Sequence, residues 1–503
     1  MGRWVLAATI LASSMAFIDG TVVNVALPFL QTSLNATAIG LQWVIEAYSL
    51  FLSALLLVGG SLGDRYGRRR IFNIGVVVFA IASAGCGLAM NIEQLIAARA
   101  VQGIGGALLV PGSLALISAS FGAEERGRAI GTWSGFSAIT TAIGPVLGGW
   151  LVEHVSWRAV FFLNLPLALA VLVISVWHVP ESSEENHAPL DWFGAALATA
   201  GLGGLVYGLI ESPRRGFGDP LVIATLVGGV VCVVVFVLHE ARAKNPMVPL
   251  QLFRSRDFAG TNLLTLLLYA ALGGMFFFFT LNLVQVQGYS ATAAGAALLP
   301  LIVLIFSLSR WSGGLIDRFG ARLPLIIGPT IAAIGFALFA MPGVSGNYWT
   351  SFFPAVVVLG LGMAITIAPL TTTVMGSVRK EQAGVASGIN NAVSRTAGLL
   401  ALAVFGVVIL FAFSNQLDAR LNGMGIDEQS RRSVYEQRVK LAGLQVPETL
   451  SAEVQAEIKQ AVADSFVFGF RLIMWISAGL ALASALSSWL MIGKSRPVKA
   501  GQR

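Results

Sequence analysis

GDRYGRRR at residues 63–70 returns as IDRFGAR at 316–322. Asp64 matches Asp317, Arg65 matches Arg318 and Gly67 matches Gly320, each 253 residues further on. Both copies lie between the second and third apolar runs of a set of six. A weaker echo pairs Glu125 with Glu381 and Gly131 with Gly388. The chain therefore reads as two six-span halves in parallel orientation. Parallel repeats around a site at mid-membrane depth are a transporter architecture.

Working outward from these loops, a helix needs about 20 apolar residues to cross a bilayer. That rule predicts spans near 5–30, 40–62, 71–90, 95–120, 129–152 and 158–178, then two more near 190–210 and 220–239. A last six fall near 258–285, 292–315, 323–342, 350–375, 384–413 and 466–491. The fold class is thus an all-α polytopic membrane protein of about fourteen transmembrane helices, two six-helix pseudo-repeat bundles with two helices inserted between them. The domains are residues 1–180, the inserted pair in 181–257, the second bundle in 258–495 with an outer loop at 414–465, and a tail at 496–503. That outer loop is expected to form short polar helices. Composition agrees with lipid as the solvent: 56% of the 503 residues are hydrophobic and only 11% charged, against about 25% charged in soluble chains. The N-terminal MGRWVLAATILASSMA resembles a secretory signal, but its apolar run continues past the 7–15 residues of a signal core, so it is expected to stay as the first span.

Orientation follows from Lys and Arg in the short loops. With the N-terminus inside, the cytoplasmic side holds Arg3, Arg65, Arg68, Arg69, Arg70, Arg126, Arg128, Arg242, Lys244, Arg254, Arg256, Arg318, Arg322, Arg379, Lys380, Lys494, Arg496, Lys499 and Arg503. The short outer loops hold only Arg158, Arg214 and Arg215; the 414–465 loop is left out because long loops cross regardless of charge. Both termini are expected in the cytoplasm of a bacterial cell, the chain lying in its inner membrane.

Charges inside spans are costly, about 2.5–3.5 kcal/mol at the centre on insertion scales, so each needs a reason. Asp19 lies in the outer half of span 1 and Arg99 at a similar level in span 4. Glu46 lies about 6 residues into span 2, or about 9 Å from the outer face. The three are placed to meet in one cluster, which would serve either as a structural ion-pair network or as a proton-coupling and substrate site. A carboxylate held between burial and a nearby Arg can exchange a proton, and when ionised it can take an organic cation. Arg395, about 11 residues into span 13, is expected either to pair with Asp19 or Glu46 or to contact substrate; Arg310 is expected to snorkel. GPVLGGW at 144–150 concentrates Gly144, Pro145, Gly148 and Gly149, either for close helix packing or as a bending interface. In the repeated loop Gly63, Asp64, Arg65, Gly67 and Arg68, with Asp317 and Arg318, read either as a tight turn with anchors or as a gate; Asp64 can cap a helix or pair with an Arg.

Together these strings resemble the major facilitator superfamily, in its fourteen-span drug:proton antiporter branch. The resemblance rests on DGTVVNVALP (19–28), GDRYGRRR (63–70), RAVQGIGGALLVP (99–111), GPVLGGW (144–150) and WRAVFFLNLP (157–166), in order and at the expected spans. It implies proton coupling at Asp19 and Arg99 with Gln102 of the same motif, cytoplasmic gating at Asp64, Arg65 and Arg68, and an antiporter motif in span 5. It also implies export of amphipathic or cationic drugs by a monomer that uses the proton gradient and no cofactor. Glu46 is less general in that branch, and some members handle lipids or metabolites.

Other classes fit poorly. Cys86 and Cys232 lie in apolar runs and make no disulfide framework, and His154, His178, His187 and His239 have no metal-ligand spacing. The net charge of +7 is spread over short connectors rather than along an aromatic-interleaved stripe, which argues against nucleic acid. An ATP-driven pump would need GxxxxGK[ST], and IGKS at 492–495 lacks the earlier glycine. HExxH is absent, and the one GxSxG string, GGSLG at 59–63, runs from the inner end of the second predicted span into the repeated loop rather than from a strand into a helix, so the chain is not expected to be an enzyme. A channel would need a selectivity motif, and none is evident. A specific exporter or importer of one metabolite is the remaining rival.

Overall fold

The computed structural model describes residues 2–183, 190–379, 382–424, 426–447 and 450–493. His187, Lys380, Glu381 and the tail cations Lys494, Arg496, Lys499 and Arg503 lie outside the described residues, as do the side chains of Arg126 and Arg128. Among the described residues every regular element is helical.

Among the described residues fourteen helices are long and apolar enough to cross a membrane. Spans 1 to 6 are Gly2–Ser33, Ala38–Tyr66, Arg68–Leu88, Ile92–Ser120, Ala129–His154 and Ala159–His178. Spans 7 and 8 are Trp192–Arg215 and Pro220–Arg242. Spans 9 to 14 are Arg256–Val286, Ala291–Gly313, Arg322–Phe339, Phe353–Gly376, Gly384–Asn422 and Ala452–Met491. The short connectors carry their own caps. Thr37 Oγ1 accepts from the Gly40 amide at 3.1 Å and Asn91 Oδ1 from the Gln94 amide at 2.8 Å, so each helix starts with an orphan N–H satisfied.

Spans 13 and 14 differ from expectation. They run well past the predicted ends at 413 and 466, because the helix continues where hydropathy falls. Leu417 and Leu421, like Ile458 and Val462, sit four residues apart and are buried, and Arg420 pairs with Asp464 at 2.9 Å. The 414–465 connector therefore begins and ends in extended spans, with one short helix at Glu428–Glu436 and a 3-10 turn at Arg438–Gly443 between them.

The chain forms two compact units, residues 1–249 with 290–296, and residues 250–289 with 297–503. In the first, Val5, Ala12, Met15, Tyr48, Leu52, Phe72, Phe79 and Leu116 of spans 1 to 4 make one apolar core with Ala168 and Val171 of span 6. Spans 7 and 8 belong to this unit. Span 7 is fastened to span 2 by Trp43, whose Nε1 donates to Glu211 at 3.2 Å and whose ring lies 5.9 Å from Tyr207. Span 8 is tied to span 7 by His239, 2.9 Å from Asp191. Burial pushes the Asp191 carboxyl up, but the Gly194 amide and His239 outweigh it and hold the carboxyl below its ordinary value. In the second unit Phe279 is the hub, with Phe339 at 5.0 Å, Phe352 at 5.5 Å and Phe470 at 6.5 Å between ring centres.

Candidate functional site

Asp19 and Arg99 meet. Arg99 Nη1 lies 2.5 Å from Asp19 Oδ2, with the residues 1% and 0% exposed. Gln102, one turn on in span 4, completes a ring: its Nε2 donates to Asp19 Oδ1 at 2.8 Å while its Oε1 accepts from Arg99 Nη1 at 2.7 Å. Asn164 of span 6 adds a longer bond to Asp19 Oδ1 at 3.4 Å and donates to Ser83 Oγ at 3.0 Å. Arg99 Nε donates to the Val44 carbonyl at 3.0 Å, and the guanidinium lies 4.3 Å from the Tyr48 ring centre. A charge this deep in a low-dielectric site is tolerable only when it is paired and hydrogen-bonded. Spans 1, 2, 3, 4 and 6 all contribute to that pairing, so the site is fixed by five helices of one unit.

Glu46 stays outside this network. It is 0% exposed, and neither carboxylate oxygen has a hydrogen-bond partner among the described residues. An ionised carboxylate without a partner is expensive at such a position. Arg395 is half-buried in span 13. One turn and a half earlier, Asn390 donates to Thr265 at 2.8 Å and Asn262 at 3.1 Å of span 9, a polar link within the second unit.

The repeated loop is a tight turn in both copies. Gly67 has φ +104° and Gly320 φ +73°, the left-handed region that glycine enters without a steric penalty. In both, the arginine packs on the aromatic residue after it, Arg65 at 5.3 Å from the Tyr66 ring and Arg318 at 5.4 Å from Phe319. The copies then diverge. Asp64 accepts from Arg68 Nε at 2.8 Å, whereas the second copy has Ala321 where the first has Arg68, so Asp317 has no such neighbour. The cap on span 3 comes from Glu181 rather than from Asp64. Glu181 accepts from the Arg69 and Arg70 amides at 3.0 and 3.1 Å, and the Arg68 amide reaches the Ser182 carbonyl at 2.8 Å.

The family model described as Major Facilitator Superfamily matches residues 9–402. This chain belongs to the major facilitator superfamily. The transporter is 34% identical over 480 residues to the tetracenomycin C resistance and export protein of Streptomyces glaucescens, covering 94% of this chain and 88% of that one. It is equally 34% identical over 498 residues to multidrug resistance protein Stp of Mycobacterium tuberculosis, covering 96% and 91%. Among solved structures it resembles a bacterial homolog of the human lysosomal transporter Spinster, in an inward-facing, unoccupied conformation, with TM-score 0.68 and 17% identity over 99% of each chain. At that identity the likeness speaks for the fold alone.

In this superfamily member the span 5 motif is a packing surface. A Cβ on Gly144 would lie 2.3 Å from Thr21 Oγ1, and one on Gly148 would lie 1.9 Å from Val22 Cγ2, so a side chain at either position would force the facing span 1 side chain to move. Span 1 is the helix that carries Asp19. Gly149 faces the Ala291 carbonyl in the same manner, at 2.5 Å. Arg158, counted above only as an outer-loop charge, donates to the Gly87 and Ala89 carbonyls at 3.0 and 2.6 Å and so closes the end of span 3. The sequence reading missed Asn164, Ser83 and Glu181. The first two are neutral polar residues in spans, which are common enough to attract no notice, and Glu181 sits in a polar connector where an acidic residue is ordinary.

Proposed function

We propose that this transporter is a proton-coupled antiporter that exports amphipathic or cationic small molecules, working as a monomer in the bacterial inner membrane with both termini in the cytoplasm. The observation that carries the reading is the buried Asp19–Arg99 pair with its Gln102 and Asn164 donors. A proton delivered to Asp19 cancels the charge that Arg99 faces. The ring of hydrogen bonds must then re-pair, which gives the unit two discrete arrangements that one proton selects between. Glu46 supplies the second half of an exchange: a carboxylate with no internal partner holds either a proton or a substrate cation, and the two compete. Arg395 contacts substrate, and the loops at Gly63–Arg68 and Asp317–Arg318 gate the cytoplasmic side. One proton moved through 100 mV is worth about 2.3 kcal/mol. That sustains a substrate gradient of roughly fiftyfold.

Export of drugs is supported by the names of the multidrug and antibiotic resistance relatives. A dedicated exporter of one metabolite is the second reading, favoured by the relative named for a single compound, tetracenomycin C. A panel of unrelated dyes and antibiotics separates the two, since a dedicated exporter moves only one chemical class.

The coupling assignment is tested by substrate-induced proton release from purified protein. Asp19→Asn carries a neutral amide that cannot give up a proton, so release and proton-driven accumulation should both vanish while a neutral substrate still binds. Undiminished release from this variant would move the coupling proton to another group, with Glu46→Gln the next variant to measure.

A further inference from the structure

Away from the Asp19 network, the second unit has an open pocket of about 320 Å³ at the end where spans 9 and 11 begin and span 14 finishes. Arg256, Arg322, Ser255, Asp257 and Trp489 line it, with the backbone of 490–493. Its one carboxylate is already engaged, since Asp257 Oδ1 accepts from the Gly493 amide at 2.7 Å. Its two guanidiniums are not fully used. Arg322 donates through Nη2 to the Trp489 carbonyl and lies 5.9 Å from the indole, but its buried Nε has no partner among the described residues. Arg256 has no hydrogen bond or ion pair among the described residues. The pocket thus presents spare N–H donors and an excess of positive charge.

Its setting points to a membrane ligand. Trp489 and Leu490 are 54% and 59% exposed beside it. An indole with an apolar neighbour at a span's end marks the headgroup level of a bilayer. In sequence, Gly493 is followed at once by Lys494, Arg496 and Lys499, a basic cluster next to a span, the pattern that draws anionic lipid. Guanidinium forks match phosphate oxygens in geometry and charge.

We propose that Arg256 and Arg322 bind the phosphate of an anionic lipid headgroup. Placing that lipid in the inner leaflet rests on the orientation proposed above; binding itself does not, so the two can fail separately. A free phosphate ester shares the recognised group, and the experiment tells the sources apart. Native mass spectrometry of the full-length transporter is run with phosphatidylglycerol, with phosphatidylcholine, and with phosphatidylglycerol in the presence of glycerol phosphate. Wild type should retain phosphatidylglycerol more strongly than phosphatidylcholine, whose choline cation opposes the pocket's excess positive charge, and Arg256→Gln should weaken the retention of phosphatidylglycerol about tenfold. Because Arg256 makes no internal bond, this variant keeps the fold; Arg322→Gln, which also loses its bond to Trp489, is the companion. Retention unchanged in both variants, or equal retention of phosphatidylcholine, would overturn the site. Full displacement by glycerol phosphate at lipid-equivalent concentration would overturn the lipid as its source.

Discussion

At the residue scale the decisive feature is a charge pair with almost no exposure. Asp19 and Arg99 are each held by neutral donors and acceptors as well as by each other, so removing one partner strands the other. Arg99→Gln should destabilise the protein by about 3–5 kcal/mol, the usual cost of an uncompensated buried charge. The double variant Asp19→Asn with Arg99→Gln should recover most of that, because two neutral amides can hydrogen-bond where the ions were. Denaturation of the purified variants in detergent checks it, and a double variant no more stable than the single would sink the argument. A charge in a span announces itself in the sequence, so Asp19, Glu46 and Arg99 were all legible. Which of them pair was not. Depth along the helices suggested one cluster of three, but depth leaves the direction around each helix open, and Glu46 makes no bond to the other two.

At the element scale the span 5 glycines set how closely span 1 can approach. Gly148→Ala would place a methyl against Val22, and overpacking of this kind typically costs about 1–3 kcal/mol. Because span 1 carries Asp19, the substitution should also lower transport, and Val22→Ala in the same chain should restore both. Unaltered stability of Gly148→Ala, measured by thermal unfolding, would mean that Val22 simply rotates aside. Density of glycine was visible in GPVLGGW; the partner was not, since a small residue states only that something comes near. The ends of spans 13 and 14 make a similar point. Hydropathy detects the part of a helix that lipid covers and misses the part held by Leu417, Leu421, Ile458 and the Arg420–Asp464 pair.

At the scale of the whole molecule the placement of the termini is the consequence easiest to test. Single cysteines at Gln429 and Gln251, both exposed, in a chain lacking Cys86 and Cys232, should react differently with an impermeant maleimide. In intact cells the residue 429 variant should label and the residue 251 variant should label only after permeabilisation; the opposite pattern would invert the proposed topology. The number of spans, the repeat and the family were determined by the sequence alone, because apolar runs of membrane length and a charged turn repeated at a fixed offset are local patterns. The tertiary structure decided what those patterns meet: that Asn164 and Ser83 support Asp19, that Glu181 caps span 3 and that the span 5 glycines receive span 1. Each is a contact between segments distant in the chain, set by how helices rotate and cross, and neither hydropathy nor spacing along one helix carries that information.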